Sequence, residues 1–230
     1  MPDDLVLLPG LLCDGRLWAG PLELMGTRVR PWVADLTQDD SMAALAGRVL
    51  AAAPERFALA SLSMGGYVAL EIMRQAPGRV SHLALFDTSA RPDDEARKAK
   101  RRDGIAQIRL GRFIGVSRGL LPSLLAPQHL GTPLAEEVQA MAERVGQEAY
   151  IRQQTAILNR VDSRPTLGAI AVPTLVGVGE LDKMTPPELA EEIAAGIGGA
   201  ELVRFADSGH LPTMEAPGAV ARAMMAWLER

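Results

Sequence analysis

Short apolar runs alternate along this chain with longer stretches of helical period. The runs are Leu5 to Leu8, Arg30 to Ala34, Phe57 to Ala60, Leu83 to Phe86, Thr174 to Val178 and Leu202 to Phe205. Each is too short for a typical helix and is continuously apolar, which predicts strands covered on both faces. Between them, Ser41 to Ala53, Met64 to Gln75, Pro187 to Ala195 and Ala216 to Leu228 read as helices. Ser41 stands as an N-cap, and Pro186-Pro187 suits a helix start. No internal repeat interrupts the rhythm. Alternation of this kind predicts an α/β fold, a mostly parallel sheet with helices on both faces.

The rhythm breaks from about Arg91 to Arg164, where no strand is predicted. A charged run from Asp93 to Asp103 opens this stretch, and Pro122, Pro127 and Pro133 punctuate it. A long polar helix is expected from Leu134 to Asn159. A helical insertion between two core strands reads as a cap over a site, residues 91–164, on a core made of residues 1–90 and 165–230. The plainer reading is a helical excursion that only extends the core.

Composition narrows the class. Of the 230 residues, 48% are apolar and 23% charged, ordinary for a globular chain with one sizeable core. A net charge of −4 gives no reason to expect nucleic acid as a partner. Three His and one Cys limit metal sites, and the lone Cys13 closes no internal disulfide, which fits a cytoplasmic setting. The start, Met1-Pro2-Asp3-Asp4, lacks the basic residues and cleavage site of a signal peptide. No stretch approaches the roughly 18 apolar residues of a membrane helix.

The chemistry gathers at Ala58-Leu59-Ala60-Ser61-Leu62-Ser63-Met64-Gly65-Gly66-Tyr67. A buried strand ends, one Ser occupies a tight turn, two glycines follow, and a helix begins. A nucleophile at such a corner is lifted clear of the sheet, and small residues are needed two places before and after it. Gly65 meets the second need. Ser61 stands where glycine is usual, small enough to fit but carrying a Cβ. Alone, the stretch also reads as a Ser/Gly-rich turn without catalytic consequence. The helix start adds unpaired N–H groups and a favourable dipole, so the Met64 N–H is one candidate oxyanion donor. The loop Leu8-Pro9-Gly10-Leu11-Leu12-Cys13-Asp14 offers a second, with Gly10 permitting a sharp turn that aims the Leu11 N–H into the same space.

A serine hydroxyl needs a neighbouring base. Of His82, His129 and His210, only His210 lies on a loop after the last predicted strand, at the sheet edge that Ser63 occupies. His82 opens a strand at the opposite end and reads as a surface residue; His129 falls in the insertion. The orienting carboxylate is expected after a strand and before the His, which favours Asp182, with Asp87 as its rival. The order Ser63, Asp182, His210 is the serine–acid–histidine order known from hydrolases of this architecture.

Leu5-Val6-Leu7-Leu8-Pro9-Gly10-Leu11-Leu12, Ser63-Met64-Gly65-Gly66, Gly179-Glu180-Leu181-Asp182 and Ser208-Gly209-His210 together resemble α/β-hydrolase fold enzymes. The resemblance is closest to small bacterial esterases and lactonases with helical lids, near the pimeloyl-carrier-protein methyl esterases and 3-oxoadipate enol-lactonases. It implies Ser63 as nucleophile, Asp182 as acid, His210 as base, and Leu11 and Met64 as oxyanion donors. Pro9-Gly10 departs from the His-Gly common in that first loop. Only Met1 to Asp4 precedes Leu5, where the family commonly has a β-hairpin. A reduced sheet of about six parallel strands is therefore expected, with an exposed edge that dimerisation would cover.

The expected activity is two-step cleavage of a small to medium carboxylic ester, lactone or thioester through an acyl-enzyme on Ser63. Nothing in it requires a cofactor or metal. The expected partner is a small ester-like molecule, not nucleic acid or membrane, and the expected state is monomer or homodimer. Leu11, Leu12, Met64, Phe113, Ile114, Leu120 and Leu211 are the candidate pocket residues. Arg97, Arg101, Arg102, Arg109, Arg112 and Arg118 are read as a solvated face paired with Asp93, Asp94 and Glu95, or else as holding a substrate carboxylate. The same triad also serves carbon–carbon hydrolysis, cofactor-free haloperoxidation or a lyase step, and a non-catalytic binding protein on this fold is the remote alternative.

Overall fold

The computed structural model describes residues 3–230. Six strands form one sheet: β1 (Asp3–Leu8), β2 (Val29–Val33), β3 (Phe57–Leu62), β4 (Val80–Phe86), β5 (Thr174–Gly179) and β6 (Glu201–Phe205). Every pair is parallel, in the order β2-β1-β3-β4-β5-β6. All six expected strands are present, each within a few residues of its expected limits.

Strand alternation divides the core into two layers. Val6, Leu8, Phe57, Leu59, Leu83, Leu85, Val176 and Val178 face α2 (Met42–Ala52), α3 (Met64–Gln75) and α7 (Pro187–Gly196). Leu5, Leu7, Ala58, Ala60, Leu62, Ala84, Phe86 and Leu175 face the other way, toward α1 (Ala19–Met25) and α9 (Pro217–Leu228), where Trp18 and Trp227 are fully buried. Ser41 caps α2, its hydroxyl accepting the Ala44 N–H at 3.2 Å.

Two expected strands are not covered on both faces. Arg30 and Pro31 of β2, and Glu201 and Arg204 of β6, are exposed because these strands close the two edges of the sheet. Nor is His82 a surface residue. It lies half-buried in β4, a central strand, edge-on to Trp227 with ring centroids 5.7 Å apart.

Between β4 and β5 the chain is helical. It contains α4 (Glu95–Arg109), the short α5 (Leu121–Leu124) and α6 (Pro133–Leu158). Asp94 caps α4, accepting the Arg97 N–H at 2.7 Å. The expected long polar helix is interrupted at Gly146, whose φ of 80° and ψ of 175° are open to glycine and split α6 into two segments. The stretch leaves and rejoins the core at one point, where the Ser163 N–H donates to the Ala90 carbonyl at 2.9 Å. Nearby, Asp93 is fully buried between Arg101 and Arg160, the latter at 3.0 Å. Its burial raises the carboxyl's proton affinity, but the hydrogen bonds and charges of the two guanidinium groups outweigh that and hold it below the usual carboxylate range. Among the described residues no helix is long and apolar enough to cross a membrane.

Candidate active site

The site forms where β1, β3, β5 and β6 end at the same edge of the sheet, the edge at which open α/β sheets bind ligands. Ser63 links β3 to α3 with φ 53° and ψ −112°, a conformation that non-glycine residues rarely adopt. Its backbone is pinned on both sides. The N–H donates to the Phe86 carbonyl at 3.0 Å, while the carbonyl accepts the Gly66 N–H at 2.9 Å and the Thr88 hydroxyl at 2.7 Å. The two glycines are steric necessities: a Cβ at Gly65 would strike the Leu8 carbonyl, and one at Gly66 would strike the Thr88 side chain. The departure at Ser61 also has an explanation. Its hydroxyl is buried and donates to the Ala84 carbonyl of β4 at 3.0 Å, so the extra polar atom is satisfied by the neighbouring strand.

His210 reaches Ser63 from the loop after β6. Its Nε2 lies 2.9 Å from Ser63 Oγ, and its Nδ1 lies 2.8 Å from Asp182 Oδ2. The loop is tightly held: the His210 N–H donates to the Leu124 carbonyl at 2.8 Å, and Glu215 accepts the Gly209 N–H at 2.9 Å and the Leu211 N–H at 3.2 Å. Glu215 also accepts the Ala126 N–H at 2.7 Å, tying this loop to the helical stretch above it.

Asp182 lies on the turn after β5 and is buried. Its Oδ1 accepts the N–H groups of Met184 (2.7 Å) and Thr185 (3.1 Å), and its Oδ2 accepts the Thr185 hydroxyl (2.7 Å) as well as facing His210. Burial alone would raise its pKa. The His210 charge and hydrogen bond, with those from Thr185, outweigh burial and hold the carboxyl below its ordinary value, so it is ionised at neutral pH.

Opposite His210, the loop after β1 bends at Leu12, whose φ of 58° makes Leu12, not Gly10, the left-handed residue of the turn. Its N–H donates to Gln153 Oε1 at 3.1 Å, while Gln153 Nε2 donates to the Leu36 carbonyl at 3.1 Å. The preceding Leu11 N–H and the first N–H of α3, at Met64, meet no acceptor among the described residues.

A cleft of about 460 Å³ opens over Ser63, within the size range of small-molecule sites. Leu11, Leu12, Leu120 and Leu211 line it as expected. Three expected residues do not. Met64 points its side chain into the core layer beneath α3. Phe113 packs on Tyr150 with centroids 5.9 Å apart, and Ile114 is 74% exposed, because left-handed turns at Gly111 and Gly115 redirect this segment. Val116, Leu124, Val138, Tyr150 and Ile157 furnish the apolar wall instead.

The basic residues divide. Arg101 bonds Asp93 and, at 2.5 Å, Gln154, while Lys98 pairs with Glu95 at 2.9 Å. Arg97, Lys100, Arg101 and Lys183 line the cleft, and among the described residues no Asp or Glu does so. The solvated-face reading therefore holds for only part of the run.

Thr185, Gln153, Glu215 and Thr88 were not singled out in the sequence. The signal for Thr185 is local, an Asp-x-x-Thr turn; Glu215 joins the nearby Gly209 and Leu211 to the distant Ala126, and Gln153 and Thr88 act on partners far along the chain. Asp87, Asp182 and His210 bring three possible metal-ligating atoms within 4.8 Å of one another, but both ring nitrogens of His210 are already engaged. Burial and the Asp14 charge push the Cys13 thiol up to about 12, so it is protonated and a poor nucleophile.

Comparison with known proteins agrees with this fold. The family described as alpha/beta hydrolase family matches residues 5–223. The pimeloyl-[acyl-carrier protein] methyl ester esterase of Vibrio campbellii is 26% identical, covering 92% of this chain and 89% of its own. That of Vibrio parahaemolyticus is 29% identical, covering 92% and 88%. A thermophilic esterase from Thermogutta terrifontis, solved with malate bound, superposes with a TM-score of 0.91 at 29% identity, covering 100% of this chain and 90% of its own. The chain belongs to the alpha/beta hydrolase family.

Proposed function

We propose that this chain is a serine hydrolase that cleaves a small to medium carboxylic ester through an acyl-enzyme on Ser63. The observation that supports it is the unbroken line from Ser63 Oγ to His210 Nε2 at 2.9 Å and from His210 Nδ1 to Asp182 Oδ2 at 2.8 Å, at the floor of a cleft. His210 takes the hydroxyl proton as Ser63 attacks the acyl carbonyl, and Asp182 fixes the tautomer and balances the imidazolium. The N–H groups of Leu11 and Met64 receive the developing oxyanion, a contribution of about 3 kcal/mol per donor in comparable sites. The proton then passes to the leaving alkoxide. Water, activated by His210, releases the acid and restores Ser63.

Residues 91–164 act as a cap in this reading. They roof the cleft with Val116, Leu120, Leu124, Val138, Tyr150 and Ile157, and their chain leaves and rejoins the core side by side at Ala90 and Ser163. The apolar wall suits an acyl chain, and the basic lining suits a substrate with an anionic far end. Two relatives named for an acyl-carrier-protein methyl ester are consistent with such a substrate. A monomer or homodimer in the cytoplasm is the expected setting.

A panel of p-nitrophenyl esters of increasing chain length tests the reaction. Turnover is expected, with Ser63→Ala lowering kcat by about 10⁴-fold or more. Undiminished activity in that variant would remove Ser63 from the mechanism, and failure across the panel would favour carbon–carbon or lyase chemistry.

A further inference from the structure

A second carboxyl lies beside Asp182, and the steps above leave it idle. Asp87 directly follows β4, has a left-handed backbone (φ 45°) and is 0% exposed. Its Oδ1 accepts the Gly179 N–H at 2.9 Å, while its Oδ2 is buried and meets no donor among the described residues. Ligand-type atoms of Asp87, Asp182 and His210 lie within 4.8 Å of one another. Two carboxylates this close, both buried, do not ionise together.

Donor counts decide which one keeps the proton. Asp182 receives the Met184 N–H, the Thr185 N–H, the Thr185 hydroxyl and His210 Nδ1. Asp87 receives a single N–H and has one oxygen facing no donor. A buried oxygen without a donor, beside an ionised carboxylate, is accounted for if it carries a hydrogen and donates it.

We propose that Asp87 is a neutral carboxylic acid that donates its O–H to Asp182, and that it serves as a positioning residue for the Asp182–His210 pair. The charged and titratable groups facing it are Asp182 on the turn after β5, His210 on the loop after β6, and Glu215 of α8 (Pro212–Glu215). Burial and then the Asp182 charge push the Asp87 carboxyl well above the usual range, with Glu215 adding to the effect. The sequence offered Asp87 as a rival for the role of Asp182; here the two carboxyls act together. The positioning role rests on the proposed catalytic role of Asp182, whereas the protonation state does not.

Two measurements test it. Asp87→Ala is expected to lower kcat about tenfold with KM little changed, since Asp182 loses a donor, and Asp87→Asn, which can still donate, is expected to recover most of that loss. The second measurement is unfolding stability against pH for the wild type and Asp87→Asn. A carboxyl whose folded pKa is raised stabilises the fold most below about pH 3.9 and loses that contribution as pH rises through the folded value. The wild type is therefore expected to lose stability relative to Asp87→Asn from about pH 4 toward neutrality. A stability difference independent of pH above about 5 would overturn the neutral acid. An Asp87→Asn enzyme as slow as Asp87→Ala would overturn the positioning role. If the protein hydrolyses no ester, the stability measurement still decides the protonation state.

Discussion

At the scale of residues, the triad is readable in sequence because each member stands on its own local signal. Ser63 sits between a buried strand and a glycine pair, while Asp182 and His210 each follow a strand end. The residues that fix their geometry leave at most a weak trace, such as the Asp-x-x-Thr turn at Thr185. Thr185 becomes meaningful only when its hydroxyl is seen at 2.7 Å from Asp182 Oδ2, and Glu215 only through three N–H groups on two loops. Asp182 is held below its ordinary pKa, so its ionisation stabilises the fold at neutral pH, and this contribution is lost as pH falls through the lowered folded value. Asp182→Asn is accordingly expected to show a flatter fall in unfolding midpoint below about pH 4 than the wild type, and a loss in kcat of about 10⁴-fold, as an asparagine favours the wrong tautomer. Thermal melts across pH and steady-state kinetics measure the two effects; a parallel acid limb would exclude Asp182 from the linkage.

At the scale of elements, the strands were legible from their apolar runs, but their edges were not. An apolar run does not say which neighbour it will have, and β2 and β6 are exposed because the topology places them last. The pocket wall was legible only in part, since Gly111 and Gly115 turn Phe113 and Ile114 away and bring Val116 in. Gln153 is a buried element-scale link between the helical stretch and the first loop, bridging the Leu12 N–H and the Leu36 carbonyl from α6. Leu12 holds a left-handed conformation that costs about 1 kcal/mol or more, and this bridge helps retain it. Gln153→Leu is expected to lower kcat about tenfold, with a smaller effect on KM, as the Leu11 N–H loses its aim. Kinetics on one p-nitrophenyl ester test this, and an unchanged kcat would mean the loop holds its shape without Gln153.

At the scale of the whole molecule, the parallel sheet brings four strand ends to one edge and so assembles groups from residues 11 to 210. The cleft at that edge has an apolar wall and is lined also by the basic Arg97, Lys100 and Lys183. This predicts a preference for a monomethyl ester of a dicarboxylic acid over a neutral methyl ester of equal length. The double variant Arg97→Ala/Lys100→Ala is expected to raise KM for the anionic ester about tenfold and leave the neutral one within about twofold. Equal effects on both would place these cations outside recognition. The central claim, that Ser63 is the acylated nucleophile, is tested most directly by intact-protein mass spectrometry after exposure to an activated alkyl phosphonate ester. One phosphonyl group per chain, located on Ser63 by peptide mapping and absent from Ser63→Ala, is the expected result. Labelling at another residue, or equal labelling of the variant, would contradict it.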